Sequence, residues 1–356
     1  MRNSRQIKIG NRIIGGGAPV LIQSMTNTDT KDVEGSLRQI DRLAEAGCDI
    51  VRLTVPDIEA AQAFGKIKNR CPIPMVADIH FDYKCAIAAM ENGADKVRIN
   101  PGNIGSDENV RLVLEKAKSF GIPIRIGVNS GSLEKDLIAK YGGVTAEGLA
   151  ESAVKAVRYA ESFGFYDTVV SLKSADVDMN HKAHQLIADM IDNPLHVGLT
   201  EAGIGEMAEI KSVAAIGALL LDGIGDTIRI SLTGDPVREV VLAKKLLKAI
   251  GLNKGGIDFV SCPTCGRTKV DLPAIALKLE QDLKPVSERL EREGKTLRVA
   301  VMGCAVNGPG EARSADIGVA CGKGEGLIIM KGEAVCKVRE DQITGELLSR
   351  INEMTK

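Results

Sequence analysis

Between Val20 and Leu232 the chain repeats one theme eight times: a short run rich in Val, Ile and Leu, a polar turn, then a stretch with the spacing of an amphipathic helix. The runs are VLIQSM, DIVRLTV, IPMVADI, DKVRIN, IPIRIGVN, DTVVSLK, LHVGLT and DTIRISL. Between them lie patterns such as VEGSLRQIDRLAEAG and NVRLVLEKAKSFG, each closed by a glycine where a left-handed C-cap is expected. Alternating strands and helices pair in parallel through right-handed crossovers, and eight such units close a TIM (β/α)8 barrel. A doubly wound open sheet is the alternative. The opening segment RQIKIGNRII, within residues 1–19, sets Gly10-Asn11 between short apolar alternations and reads as a hairpin that plugs the barrel floor.

After a helix near Val237–Ile250 the pattern changes. The chain has 356 residues, more than one core usually supports. The expected division is a barrel domain over 1–251, a linker over 252–256 and a smaller α+β module over 257–356. That module should contain the strand-like IDFVS, a long helix from about Leu272 to Glu293, then TLRVAVMG, ADIGVAC, GLIIMKG and a closing helix. Composition narrows the class further. Hydrophobic residues make up 44% and charged residues 26%, as in a folded globular protein. The formal net charge of -1 offers no general basic field, so no nucleic-acid partner is expected and any anion site must be local. The N-terminal MRNSRQIKIGNRIIGG lacks a signal-like apolar run, and nothing later is long enough to span a membrane, so a cytoplasmic protein is expected.

In such a barrel the reactive groups gather at the C-terminal strand ends. Several of these strands end in residues that a packed core rejects. Lys96, Arg98 and Asn100 share one parity, as do Arg125, Gly127 and Asn129, so each set faces one side of its strand. Lys173 closes the sixth run, Arg229 the eighth, and Arg52 lies in the second. Some of these cations should be neutralised by Asp78, Glu201 or Asp226, because burying a cation without a partner is costly. Five basic strand ends at one mouth suit a small molecule carrying several phosphate oxygens, whose geometry matches the arginine fork. Asn100, Asn129, His80 and Ser231 would add neutral hydrogen bonds, although His80 equally reads as a structural histidine. His181 and His184, on a polar helix, are expected at the surface.

The chain has eight cysteines, and in a reducing compartment their spacing reports metal or redox chemistry before disulfides. Cys48, Cys71 and Cys85 sit in apolar or helical stretches and read as small buried thiols. Cys262 and Cys265 form a CxxC within SCPTCG, a spacing that lets two thiolates reach one metal centre. Cys304 opens GCAVNGPGE, where two glycines and a proline turn the backbone and Glu311 follows seven residues after the cysteine. Cys321 and Cys336 are further possible ligands, but their apolar settings favour burial. A structural zinc prefers four Cys or His ligands, and no histidine occurs beyond residue 196. Three thiolates and a carboxylate favour a cluster with one unusual iron.

The phrases SCPTCGRT, MGCAVNGPGEA, IQSMTNTDT, VRINPGN and RIGVNSGSL, spread over both expected domains, resemble the 4-hydroxy-3-methylbut-2-enyl diphosphate synthase family in its shorter bacterial form. The resemblance implies a [4Fe–4S] cluster on a domain like the sulfite and nitrite reductase modules. It also implies reductive ring opening of 2-C-methyl-D-erythritol 2,4-cyclodiphosphate, with loss of one hydroxyl as water, in the methylerythritol phosphate route to isoprenoids. Carried over by position, Cys262, Cys265, Cys304 and Glu311 match the cluster ligands. Arg98, Arg125, Asn129 and Lys173 match diphosphate-binding positions, and Glu201 an acid that helps move protons. The resemblance also implies flavodoxin or ferredoxin as electron donor, and with no nicotinamide or flavin fingerprint the sequence does not say which. Two other classes fit parts of the pattern: a sulfite- or nitrite-reductase-like enzyme, whose four-cysteine pattern is missing, and a zinc-ribbon module without catalysis.

Chain direction adds an expectation about assembly. The eighth helix runs back to the barrel floor over roughly 21 Å, and about six linker residues span at most about 20 Å. A cluster held just beyond such a linker is badly placed to serve its own barrel mouth. A twofold homodimer in which each cluster domain caps the partner's barrel is the simplest closed solution.

Overall fold

The computed structural model describes residues 1–100 and 103–356. Pro101 and Gly102, part of the VRINPGN phrase, lie outside the described residues. The chain divides into two compact units, Met1–Leu252 and Asn253–Lys356.

In the first unit, β1 (Ile7–Ile9) and β2 (Arg12–Ile14) form the antiparallel hairpin, with Ile7 opposite Ile14. The barrel strands follow: β3 (Leu21–Met25), β4 (Ile50–Thr54), β5 (Met75–Asp78), β6 (Lys96–Ile99), β7 (Ile124–Asn129), β8 (Thr168–Lys173), β9 (His196–Val197) and β10 (Thr227–Ile228). All their pairings are parallel, running from β8 back to β3 and on through β10 to β9. The two ends of this sheet meet where Val170 bridges Leu195, so the eight strands encircle an interior as the periodicity predicts. Ile7, Ile9 and Ile14 pack against Leu21, Ile50, Val76 and Val169, all near strand starts, and the hairpin thereby closes the N-terminal end of the barrel.

Strand parity divides the first unit into an apolar shell and a polar interior. Val51, Leu53, Ala77, Val97, Ile99, Ile126 and Leu172 face outward into one core with helix residues such as Ile40, Leu43, Phe64 and Val113. The alternate residues face inward, and many of them are charged. The helices are sharply punctuated. The side chains of Asp32, Asp57, Asp176 and Asp235 cap the N-termini of the helices that follow them, each taking a backbone N–H. Gly47 and Gly121 end their helices in the left-handed conformation, as the glycine spacing predicts.

In the second unit β11 (Gly256–Ser261), β12 (Thr296–Met302) and β13 (Ile317–Cys321) are parallel neighbours, and β14 (Glu325–Met330) and β15 (Glu333–Arg339) continue the sheet antiparallel. Helix residues Leu279, Leu290, Leu347 and Ile351 cover one face together with Val299, Val301 and Val319. The long helix expected over Leu272–Glu293 is two helices, Leu272–Asp282 and Lys284–Glu293. Pro285 near the start of the second has no N–H to give the preceding turn and its ring crowds that turn's carbonyl, which ends the first helix. Cys336, expected in an apolar and buried setting, lies half-buried in β15 beside Arg350 and Glu346. Among the described residues no helix is long and apolar enough to cross a membrane.

Candidate active site

At the C-terminal end of the barrel strands lies a cavity of about 360 Å³. Its wall brings together ten of the barrel residues singled out in the sequence: Arg52, His80, Arg98, Asn100, Arg125, Asn129, Lys173, Glu201, Arg229 and Ser231. Asp78, Asn103, Ser130, Gly131, Ser132, Ser171 and Thr200 complete it. The sequence reading missed the Ser130–Ser132 turn as a lining element. It follows β7 directly, and Asn100 donates to the Ser132 hydroxyl at 2.9 Å.

Five cations enter this wall from five strands or strand ends, and their balance is incomplete. Asp78, 2% exposed, stands 3.6 Å from Arg52 Nε, 3.4 Å from Arg98 Nη1 and 3.8 Å from His80 Nε2. Burial alone would push its carboxyl up, but Arg52, Arg98 and Arg125 outweigh that and hold it at about 2. Arg229 is served by Glu239, at 3.6 Å. Burial, then repulsion from Arg52, brings Arg229 down to about 10 despite that acid. Arg125 is 1% exposed, and its Nε and Nη1 have no hydrogen-bond partner among the described residues. Burial and the neighbouring cations push Arg125 and Lys173 well below their ordinary values. The wall is therefore short of negative charge, as a polyanion site is before its ligand arrives.

Two of the three expected neutralising acids form no ion pair with these cations among the described residues. Asp226 sits at the barrel floor, accepting from Ser4 Oγ at 2.7 Å and from the Leu195 amide at 2.8 Å. Glu201 lies exposed at the rim and forms no salt bridge among the described residues. Its φ of 55° places it in the left-handed region that non-glycine residues rarely adopt. Glu239 instead supplies the second buried acid, from the helix Pro236–Ala249, and also accepts from Ser24 Oγ at 3.0 Å. Its one sequence signal is a charge on the apolar face of that helix.

Below the pocket, Lys96 and His196 are fully buried in the barrel interior. Lys96 Nζ lies 3.5 Å from Gln23 Oε1, and His196 Nδ1 lies 2.8 Å from Thr227 Oγ1. His184, expected at the surface, is fully buried because its helix turns that side toward the barrel, and its Nδ1 lies 2.7 Å from the Asn180 carbonyl. Burial brings it down to about 4. His181 pairs with Asp222 at 2.8 Å.

Cys262, Cys265 and Cys304 of the second unit occupy two adjacent loops. Because β11 and β12 are parallel with Ser261 opposite Val301, Cys262 and Cys304 leave the sheet at the same edge. The Gly303 amide donates to Cys262 Sγ at 3.2 Å, and the Cys265 amide to Thr268 Oγ1 at 3.2 Å. Hydrogen bonds from Arg267 lower the Cys265 thiol, and the backbone amides of Asn307 and Val306 lower that of Cys304. Burial does the reverse elsewhere, pushing Cys48 and Cys321 up to about 12 and raising Cys71 and Cys85. Glu311 is exposed on the short helix Gly308–Ala312 that follows Cys304. Among the described residues no three Cys, His, Asp or Glu side chains stand close enough to clasp a single ion. A cubane makes a different demand, because each ligand meets its own iron and the ligand atoms stand further apart.

Solved structures with a similar barrel include an N-acetylneuraminic acid synthetase from Leptospira borgpetersenii (TM-score 0.51, 18% identity, 70% of this chain and 90% of that one). A dihydropteroate synthase from Xanthomonas albilineans is similar too (TM-score 0.50, 16% identity, 69% and 97%). At these identities the likeness is one of fold. Sequence relatives are much nearer. A protein of Caldanaerobacter subterraneus subsp. tengcongensis is 55% identical over 353 residues, covering 99% of this chain and 98% of its own. One from Clostridium tetani is 53% identical over 346 residues, covering 97% of each. Both are named 4-hydroxy-3-methylbut-2-en-1-yl diphosphate synthase (flavodoxin). Residues 4–244 match the GcpE TIM-barrel domain and residues 258–353 the GcpE C-terminal domain, so with its barrel, its cationic mouth and its cysteine loops the chain belongs to the GcpE family.

Proposed function

We propose that this chain is an iron–sulfur oxidoreductase that opens 2-C-methyl-D-erythritol 2,4-cyclodiphosphate reductively to 4-hydroxy-3-methylbut-2-enyl diphosphate, with loss of one hydroxyl as water. The observation that carries the reading is the cation-rich cavity, five basic side chains against one buried acid and one rim acid among its lining residues. Arg98, Arg125, Lys173 and Asn129 grip the diphosphate, and Arg52 and Arg229 extend the cradle. Their donors are fixed before the ligand arrives, so charge developing on the opening ring is stabilised without reorganisation. Asn100, His80 and Ser231 orient the remaining oxygens. Glu201, at the wet rim of the cavity, helps move the proton that leaves with the hydroxyl.

The residues present in the second unit fit a [4Fe–4S] cluster. Cys262 and Cys304 leave one sheet edge, and Cys265 and Cys304 favour the thiolate a cluster needs. Glu311 would complete the set with an oxygen ligand, harder and more readily exchanged than sulfur. Such a cluster would supply the two electrons one at a time, drawn from flavodoxin, which the relatives' names carry, or from ferredoxin. The setting proposed is cytoplasmic.

The cavity is tested by Arg98→Ala, Arg125→Ala and Lys173→Ala in an anaerobic assay. Each removes a charge-assisted hydrogen bond worth about 1.5–3 kcal/mol, so KM should rise about 10- to 100-fold. The cluster signal in electron paramagnetic resonance should stay unchanged. Unaltered KM and kcat in all three would rule out the phosphate cradle.

The assembly we propose is a head-to-tail homodimer, each cluster domain capping the partner's barrel. Apolar side chains left exposed in the loops support it: Phe81 and Ile204 beside mouth residues, and Val306 beside Cys304, each more than two-thirds exposed. At substrate well below the raised KM, mixing Arg125→Ala chains, weakly active alone, with Cys265→Ser chains, inactive alone, should raise the activity, since a mixed dimer pairs one intact barrel with one intact cluster. Mixed dimers that demonstrably form and show no gain would place barrel and cluster function in the same chain.

A further inference from the structure

Gly127 lies inside β7, where a glycine weakens a strand and leaves nothing to pack. Its backbone does not require it, because its φ is not in the left-handed region. What requires it is space. A Cβ built on Gly127 would stand 2.6 Å from Arg98 Nε, 3.0 Å from Nη2 and 3.2 Å from Cζ. Those are the three nearest atoms, and all belong to one guanidinium. Arg98 comes from the neighbouring strand, where it is paired in register with Arg125, and its side chain crosses toward the mouth over the bare backbone of Gly127. On its other side Nη1 faces Asp78 at 3.4 Å. The guanidinium is thus held between a carboxylate on β5 and a missing side chain on β7.

We propose that Gly127 is a positioning residue for substrate binding, an empty site in the strand that forms the slot in which the Arg98 fork lies. The proposal rests on the reading of Arg98 as a diphosphate ligand and deepens it. An alanine methyl cannot share the slot, and Arg98 is too enclosed, at 8% exposed, to give way except by leaving Asp78 or swinging into the cavity. Either movement carries its donors away from the place where phosphate oxygens are gripped, and an Arg fork loses bidentate geometry with small displacements. Gly198 makes a similar approach to Lys173, whose Nζ would lie 3.3 Å from its Cβ. There the Arg229 carbonyl would lie at 2.5 Å, so substitution would also disturb backbone. Gly127 therefore isolates the effect.

The experiment is a double-mutant cycle on the cluster-loaded enzyme with G127A, R98A and G127A/R98A, reading KM for the cyclic diphosphate, kcat and the cluster's paramagnetic resonance spectrum. G127A should raise KM about tenfold, the loss of roughly one charge-assisted hydrogen bond. The spectrum should be unchanged and kcat should move less than KM. With Arg98 already truncated the slot is vacant, so adding G127A should change KM less than about twofold, the signature of coupled sites. If R98A raises KM and G127A does not, the slot is unnecessary and the proposal fails while the phosphate reading stands. If R98A itself leaves KM unchanged, the phosphate role of Arg98 fails and takes this proposal with it. If G127A costs as much in the R98A background as it does beside the intact arginine, its role is structural and the proposal fails. Should G127A not fold, the double variant decides: a folded G127A/R98A enzyme supports the slot, and a second misfolded one overturns it.

Discussion

Cys262→Ser, Cys265→Ser and Cys304→Ser are each expected to lose the full cubane and all turnover while the barrel keeps its fold. The three thiols leave one edge of a parallel pair of strands, and no buried cysteine stands ready to replace them. Cys321, the nearest in chemistry, is buried in its strand and pushed up to about 12, far from thiolate at neutral pH. A serine hydroxyl is a poor ligand for iron in a sulfur cluster, whose sites select soft thiolates. Iron analysis and paramagnetic resonance on anaerobically purified protein measure the effect. Circular dichroism should show an unchanged barrel, because the altered residues share no core with it. Full iron content in any one variant would remove that cysteine from the ligand set. Glu311→Ala belongs to the same series with a milder expectation, some cluster retained and turnover strongly reduced.

Asp78→Asn should be the most destabilising single change at the barrel mouth. It keeps the shape and removes the charge that Arg52 and Arg98 face at 3.6 and 3.4 Å, with Arg125 close behind. Breaking a buried ion pair from one side costs about 3–5 kcal/mol, since the remaining charge stays buried and unpaired. A fall in Tm of roughly 6–15 °C follows for a unit of this size. The pH dependence fixes the sign. The Asp78 carboxyl lies at about 2 in the folded protein, below the ordinary value of about 3.9 in an unfolded chain. Its stabilisation is therefore complete above about pH 4 and is lost as pH falls toward 2, so the stability curves of the two proteins should converge in acid. Pyrophosphate, a surrogate for the missing negative charge, should recover part of the lost Tm. Equal Tm at neutral pH would mean that the arginines are neutralised in some other way.

The sequence carried the barrel because its signal is repetitive: each strand and helix repeats the same two periods, and errors at one boundary do not propagate. It carried the cationic mouth because parity puts Arg98 and Asn100, or Arg125 and Asn129, on one side whatever the register. The acids were another matter. Glu239 reaches Arg229 across a helix–strand contact with no fixed spacing, whereas Asp226, the first residue of the eighth run, lies at its floor end rather than its mouth. His184 failed for a related reason, since a mostly polar helix still buries one face. In the second unit the alternation EAVCKVR carries the period of an edge strand. Pro285 is a break signal set between two stretches of continuous helical periodicity, which on their own read as one helix.

The hairpin of Ile7, Ile9 and Ile14 has a bearing on traffic. With the N-terminal end of the barrel stoppered by apolar side chains, the cavity is a cul-de-sac. If the arginine cradle proposed above holds, the cyclic diphosphate and the linear diphosphate made from it would share one doorway and one set of arginines. Departure and arrival are then mutually exclusive events, and product lingering in the cradle competes directly with the next substrate. Any covering of that doorway that keeps water out during reduction also detains the product, so the pace of the enzyme is tied to how often the entrance is cleared.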